Sequence, residues 1–251
     1  MDIIQTFYDN MASQYDKLFL DWNETTHEQA VILDRIFREN GFDGSASVLD
    51  CACGIGTQSI GLAALGYRII ASDISDAELE EAAKRAAENK VSVRFEHADF
   101  CRLSDTFTET FDVIICMDNA LPHMLSHDDL ASAIASITGR MKKGGIFVAS
   151  IRDYDALLME KPPYSPPYIH KTADGQRVSF QTWHWADDRY KLIQYIVDDE
   201  KTLGISKFEC EYRATPRAEI TELLMAAGCG EVKWLFPEET DFYQPIVVAR
   251  K

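Results

Sequence analysis

The ten residues Val48-Leu49-Asp50-Cys51-Ala52-Cys53-Gly54-Ile55-Gly56-Thr57 decide how the rest of the chain reads. An apolar strand, Val48-Leu49-Asp50, runs into a turn with two glycines, and a helix over residues 59–65 follows until Gly66 stops it. Glycine lacks a Cβ, so here it lets the backbone bend tightly and lets a ligand come close. A unit of strand, glycine turn and helix opens many nucleotide-binding α/β domains.

Working outward, the α/β rhythm continues. A second strand over 67–72 ends at Asp73, and residues 76–88 predict a helix rich in Ala and Glu, with Lys84 and Arg85 late in it, where the helix dipole favours cations. A third strand over 91–96 leads into His97-Ala98-Asp99-Phe100. A fourth, over 111–116, is apolar enough to be buried on both faces. A helix over 128–141, a connection holding Gly144 and Gly145, and a fifth strand over 146–150 follow. This alternation predicts a doubly wound, mostly parallel sheet with helices on both sides. Upstream, Phe7, Tyr8, Met11 and Tyr15 recur at helical spacing, and residues 27–37 place Ala30, Leu33, Ile36 and Phe37 on one helical face closed by Gly41 and Gly44.

Residues 152–175 break the rhythm. Pro162, Pro163, Pro166 and Pro167 lie between tyrosines, which predicts an extended loop or lid. Alternating runs over 178–185, 190–197 and 207–212 predict a small antiparallel β insert after the fifth strand. A helix over 216–228, with Pro at its start and Gly at its end, and strands over 232–236 and 245–249 complete the chain. The expected division is a cofactor-binding domain over 1–151 and 214–251, and a lid with a substrate-side insert over 152–213.

Composition narrows the function. The 251 residues are 46% hydrophobic and 26% charged, which excludes general disorder. Lys and Arg number 25 against 41 Asp and Glu, a net charge of −16. So acidic a surface repels nucleic-acid backbones and anionic membranes, so neither is expected as a partner. The stretch Met1-Asp2-Ile3-Ile4-Gln5-Thr6 lacks the basic and apolar regions of a signal peptide. No segment approaches the ~20 apolar residues of a membrane span. A cytoplasmic chain is expected. The six cysteines are scattered and expected to be reduced, and Cys51 and Cys53 lack a second pair at zinc spacing, so no metal is expected.

In sheets of this kind ligands bind outside the carboxyl ends of the strands. Three such ends carry chemistry. The glycine turn supplies Cys51, Ala52, Gly54, Gly56 and Thr57. Asp73, followed by Ile74, suits both hydroxyls of a ribose. Asp99 suits the exocyclic amine of an adenine, with Phe100 beside the ring. Ser59 stands where a dinucleotide fingerprint has its third glycine, which disfavours an NAD-dependent oxidoreductase.

On these residues the chain resembles the class I S-adenosylmethionine-dependent methyltransferases. The resemblance rests on Asp50, Gly54 and Gly56 of a D-x-x-x-G-x-G motif, on Asp73, on Ala98-Asp99-Phe100, and on Met117-Asp118-Asn119-Ala120 after the fourth strand. Within that family it resembles the small-molecule branch that includes glycine and sarcosine N-methyltransferases. The carriers are Tyr15-Asp16, Arg152-Asp153-Tyr154-Asp155, the late insert and Phe242-Tyr243-Gln244-Pro245. The resemblance implies a seven-stranded Rossmann-like sheet, S-adenosyl-L-methionine as cofactor with S-adenosyl-L-homocysteine as product, and a small amine or amino-acid-like acceptor. It places Tyr15, Asp50, Met117 and Asp118 with the cofactor, and Asn119, His123, Arg152 and Tyr154 at the acceptor. The other readings are the oxidoreductase and a non-catalytic cofactor-binding scaffold.

Several of these residues carry two readings. Asp50 can bind ligand or orient the turn through backbone amides. Tyr15 is a core tyrosine or a contact to the cofactor's carboxylate. His123 is a general base or a satisfied surface or core histidine. Trp183 and Trp185 share a strand face as sheet core or substrate cage. Arg152 either clamps an acceptor carboxylate or pairs with Asp153 or Asp155. Ser165-Pro166-Pro167-Tyr168 matches a motif of nucleic-acid amino-methyltransferases, but it follows the fifth strand rather than the fourth, which makes it part of the lid.

Overall fold

The chain opens with helix α1 (Ile3–Met11), a 3₁₀ segment (Ala12–Leu18) and helix α2 (Trp22–Glu39). The α/β succession follows: β1 (Ser47–Asp50), α3 (Thr57–Ala64), β2 (Arg68–Asp73), α4 (Asp76–Glu88), β3 (Arg94–His97), β4 (Phe111–Cys116), α5 (His127–Gly139) and β5 (Met141–Ser150). Next come α6 (Tyr154–Glu160) and the strands β6 (Tyr168–Thr172), β7 (Gly175–Ala186), β8 (Arg189–Asp199) and β9 (Gly204–Arg213). The chain closes with α7 (Arg217–Ala226), β10 (Glu231–Leu235), α8 (Pro237–Thr240) and β11 (Ile246–Arg250). This computed structural model describes residues 3–172 and 174–251. Met1, Asp2 and Ala173, on which parts of the leader and loop readings fall, lie outside the described residues.

One sheet has seven strands in the order β10-β11-β5-β4-β1-β2-β3, parallel except where β11 pairs with β5 and β10. The order reverses between β1 and β4, where Asp50 stands level with Ile115. A crevice therefore opens between those two carboxyl ends. The second sheet is antiparallel, β6-β7-β8-β9. One apolar cluster runs from Leu49, Ile114 and Phe147 of the first sheet to Leu192 and Tyr212 of the second, so the insert shares the main core. Among the described residues no helix is long and apolar enough to cross a membrane.

The sequence expectations need four corrections. Helix α2 begins at Trp22, not near residue 27, because the Asp21 carboxylate caps it through the Glu24 N–H at 3.1 Å. The third strand starts at Arg94, because Lys90 turns left-handed (φ 57°) and the Val91 N–H still bonds Ala86. Gly144 and Gly145 lie inside β5, not in a connection. Gly144 has φ 80°, a Cβ on Gly145 would sit 2.8 Å from the Asp112 carbonyl, and the β4–β5 register shifts there. Finally, residues 152–175 are not one extended loop but helix α6, a pinned segment and strand β6. The Ser165 N–H donates to the Gln181 carbonyl at 2.9 Å, the Trp183 N–H to the Pro163 carbonyl at 2.8 Å, and the Trp185 Nε1–H to the Pro162 carbonyl at 2.8 Å.

The pinning reverses the exchange behaviour expected of a free lid. The amides of Ser165 and Trp183 should show protected hydrogen exchange in the protein without ligands, because each is hydrogen-bonded across the proline segment. Exchange at intrinsic rates at both amides would restore the mobile-loop reading.

Candidate active site

Two adjoining cavities lie over the switch point. The smaller, about 280 Å³, sits on the glycine turn; the larger, about 870 Å³, lies between it and the antiparallel insert. Tyr8, Tyr15 and Asp118 line both.

The smaller cavity gathers most of the residues that sequence reading assigned to the cofactor. Cys51, Ala52 and Gly54 come from the turn after β1, and Thr57 from the start of α3. Asp73 and Ile74 end β2, Asp99 and Phe100 follow β3, Met117 and Asp118 follow β4, and Tyr15 comes from the N-terminal segment. Asp73 Oδ2 accepts the Gly54 N–H at 2.9 Å and Oδ1 accepts the Ser75 N–H at 3.0 Å. These bonds fix the carboxylate and brace the turn. Burial pushes the Asp73 pKa up, against the pull of those amides. Gly54 is left-handed (φ 51°), and a Cβ there would approach Glu78 Oε2 to 3.0 Å.

Two assigned residues do not face this cavity. Asp50 is fully buried behind the turn, where it accepts the Ser59 hydroxyl at 2.6 Å and the Ala52 N–H at 3.4 Å; burial pushes its pKa up to about 7. It orients the turn rather than meeting a ligand. Gly56 (φ 88°) is a packing glycine, because a Cβ would lie 2.9 Å from Ile60 and 3.4 Å from Ala82.

Other residues in this cavity carried no sequence signal. Tyr8 comes from α1, Gln58 from α3 and Glu78 from α4. Glu78 is 1% exposed, and its Oε1 has no hydrogen-bond partner among the described residues. A buried polar atom normally has one, and a ribose hydroxyl is a partner of suitable chemistry. With Asp73, the tight glycine turn and Asp99, the donor and acceptor set fits an adenosyl group. A Glu in the first turn of an Ala-rich helix is ordinary in sequence, so only packing exposes it.

The acceptor-side residues separate on inspection. Arg152 lines the larger cavity. Its guanidinium donates to the Tyr190 hydroxyl at 2.8 Å and to Gln181 Oε1 at 3.1 Å, and lies over the rings of Trp183 and Tyr212. It does not pair with Asp153 or Asp155, both of which bond Arg217. Among the described residues no carboxylate lies within ion-pair distance of Arg152. Tyr154 is fully buried with its hydroxyl 2.9 Å from that of Tyr190, and it lines neither cavity. Its place as an acceptor contact is therefore corrected to a brace behind Arg152. The two tryptophans also part company. Trp183 forms cavity wall, while Trp185 packs on Tyr190.

Asp118 and Asn119 are consecutive left-handed residues (φ 55° and 72°). Such a conformation costs about 1–2 kcal/mol per non-glycine residue and persists only where neighbours hold it. Here the Asp118 N–H donates to Ser150 Oγ at 2.8 Å, the Asn119 N–H to the Ser150 carbonyl at 3.1 Å, and the Arg152 N–H to Asn119 Oδ1 at 3.1 Å. Asn119 thus ties the end of β4 to Arg152 and lines the larger cavity.

His123 is buried, its Nε2 is 2.7 Å from the Tyr8 hydroxyl and its ring centroid is 4.2 Å from that of Tyr212. Burial, helped by the Arg152 charge, pushes its pKa down to about 3. With Nε2 engaged by the Tyr8 hydroxyl and the imidazolium disfavoured by burial, the placement favours the buried histidine over the general base. A folded-state pKa below the unfolded value means that this histidine's contribution to stability is present above about pH 6.5 and is lost as pH falls toward 3. The ¹³C-labelled imidazole of His123 should therefore show no titration by NMR between pH 8 and 5. A shift with a midpoint near 6.5 would return it to the candidates for proton transfer.

Comparisons with known proteins bear on the family and the fold. Residues 48–145 match a family model described as a methyltransferase domain. The glycine/sarcosine N-methyltransferase of Parasynechococcus marenigrum is 30% identical over 154 residues, covering 61% of this chain and 53% of that protein. This chain therefore spans about half the length of that relative. The human glycine N-methyltransferase is 26% identical over 246 residues, covering 90% of this chain and 82% of that one. A solved S-adenosylmethionine-dependent methyltransferase from Clostridium acetobutylicum superposes with a TM-score of 0.74 at 19% identity, covering 97% of this chain and 98% of its own. That last likeness speaks for the fold.

Proposed function

The chain belongs to the class I S-adenosylmethionine-dependent methyltransferases, and from that premise we propose that it methylates the nitrogen of a small amino-acid-like acceptor. The observation that carries the acceptor class is Arg152. It is the one basic side chain lining the larger cavity among the described residues, and it lies there without a carboxylate partner. A guanidinium away from bulk water needs an anion, and its fork suits a carboxylate bidentately. The amino-acid substrates in the names of the relatives support the same class.

When bound, S-adenosylmethionine supplies an activated methyl group on a sulfonium, so the chain mainly has to hold and align. In this reading Asp73, Glu78 and the Gly54 turn hold the adenosyl ribose, and Asp99 with Phe100 meets the adenine. Arg152, braced by Tyr190, Tyr154 and Gln181, fixes the acceptor's carboxylate. Tyr8 and Tyr15 close the junction from the N-terminal side. The insert over 152–213 serves as the acceptor-side unit. The same proposal makes the enzyme cytoplasmic, with neither nucleic acid nor membrane as partner. All six cysteines are free thiols, in keeping with a reducing compartment.

Calorimetry should show one S-adenosylmethionine or S-adenosylhomocysteine per chain. A panel of amino acids, N-methyl amino acids, carboxylate-free amines, phenols and thiols should then release S-adenosylhomocysteine fastest with a carboxylate-bearing amine. No binding of either cofactor form at millimolar concentration would refute the cofactor assignment. Fastest release with a phenol or thiol would refute the acceptor class.

A further inference from the structure

Asp118 occupies a position that a cofactor contact alone does not explain. It is the only acidic residue lining both cavities among the described residues, and it stands on the strained turn after β4. Its carboxylate is aimed by two neutral donors: the Tyr243 hydroxyl to Oδ1 at 2.7 Å and Gln58 Nε2 to Oδ2 at 2.7 Å, with Gln58 also bonded to Gln29 at 2.6 Å. No Lys or Arg pairs with it among the described residues. Each oxygen keeps acceptor capacity, since a carboxylate offers about four lone-pair sites. The titratable groups around it are Tyr243, Tyr15, the buried Asp50 behind the turn and, beyond the tyrosines, Arg152.

An amino-acid acceptor reaches the enzyme with an ammonium group, which has no lone pair to attack with. We propose that Asp118 is the catalytic residue on the amine side, taking the ammonium proton and holding the freed nitrogen at the junction of the two cavities. This rests on the acceptor reading above. The N–H bond breaks as the Asp118 O–H bond forms. The nitrogen lone pair then makes the new N–CH₃ bond while the S–CH₃ bond breaks and its electron pair stays on sulfur. The positive charge passes from sulfur to the methylated nitrogen, and the Asp118 proton leaves to solvent with the products. Burial pushes the Asp118 pKa up, which brings it toward that of the donor. Arg152 and Asp118 together would read a zwitterion, cation to carboxylate and anion to amine.

The test uses the full chain, Asp118→Asn, and the panel member that the wild type methylates fastest. Asparagine keeps the acceptor oxygen but cannot take the proton. At pH 7 kcat should fall about 100-fold, and the deficit should shrink as pH rises, because the free amine fraction climbs tenfold per pH unit while the wild type levels off. Calorimetry on the chain saturated with S-adenosylhomocysteine should show acceptor affinity reduced about tenfold and cofactor affinity within twofold of wild type. Wild-type turnover by the variant, or a deficit that does not change with pH, overturns the proton role and leaves the acceptor class standing. Lost cofactor affinity with acceptor affinity kept returns Asp118 to the cofactor. No S-adenosylhomocysteine release by the wild type with any amine in the panel removes the acceptor reading and this proposal with it.

Discussion

Replacing Asp73 with alanine is expected to weaken S-adenosylmethionine binding by about 2–4 kcal/mol, because two charge-assisted hydrogen bonds to the ribose are lost. The structure adds a second consequence. The same carboxylate holds the Gly54 and Ser75 amides, so the variant also loosens the glycine turn and should lose about 1 kcal/mol or more of stability. The fold should survive, because Asp73 ends a strand and most of the core lies below it. Asp73→Asn separates the effects, since its amide oxygen can still accept one of the two backbone bonds. Calorimetric titration measures the affinity and thermal unfolding the brace. A dissociation constant equal to wild type in Asp73→Ala would show that another group holds the ribose.

Arg152→Ala should lower kcat/KM for a carboxylate-bearing acceptor by about 2–5 kcal/mol, the range for removing one partner of a desolvated charge pair. S-adenosylmethionine affinity should stay near wild type, because Arg152 lines only the larger cavity. Arg152→Lys is expected to raise KM as well. An ammonium cannot bond Tyr190 and Gln181 and still present a planar fork to a carboxylate. A carboxylate-free amine should be indifferent to either change. Normal turnover by Arg152→Ala would leave the guanidinium as a structural prop of the Tyr190, Trp183 and Tyr212 cluster.

Some parts of the site were visible locally. Strand ends followed by Asp73 and Asp99, and the left-handed Gly54 in its turn, carry their meaning within a few residues. Asp50 was ambiguous for a physical reason: a carboxylate at a strand end can point forward to a ligand or back to Ser59, and sequence spacing is the same in both cases. The failed loop reading of 152–175 has a similar cause. Prolines remove donors, but Ser165 and Trp183 supply them from outside the proline pairs, and their acceptors lie 16 to 20 positions away.

The sequence by itself determined the order of the α/β elements through the fifth strand, the parallel sheet, the late antiparallel insert and the carboxyl edge over which the cavities open. Hydrophobic period, glycine and proline act over distances shorter than one element, so they can be read along the chain. Only the tertiary structure decided which side chains meet. Arg152 finds Gln181 and Tyr190, Asp118 finds Gln58 and Tyr243, and His123 finds Tyr8, 115 positions away. Those pairings set which charges are compensated, which histidine is buried against a tyrosine and which carboxylate stands where the two cavities meet. They follow from how distant elements pack, and desolvation is a property of the packed site that no local spacing encodes.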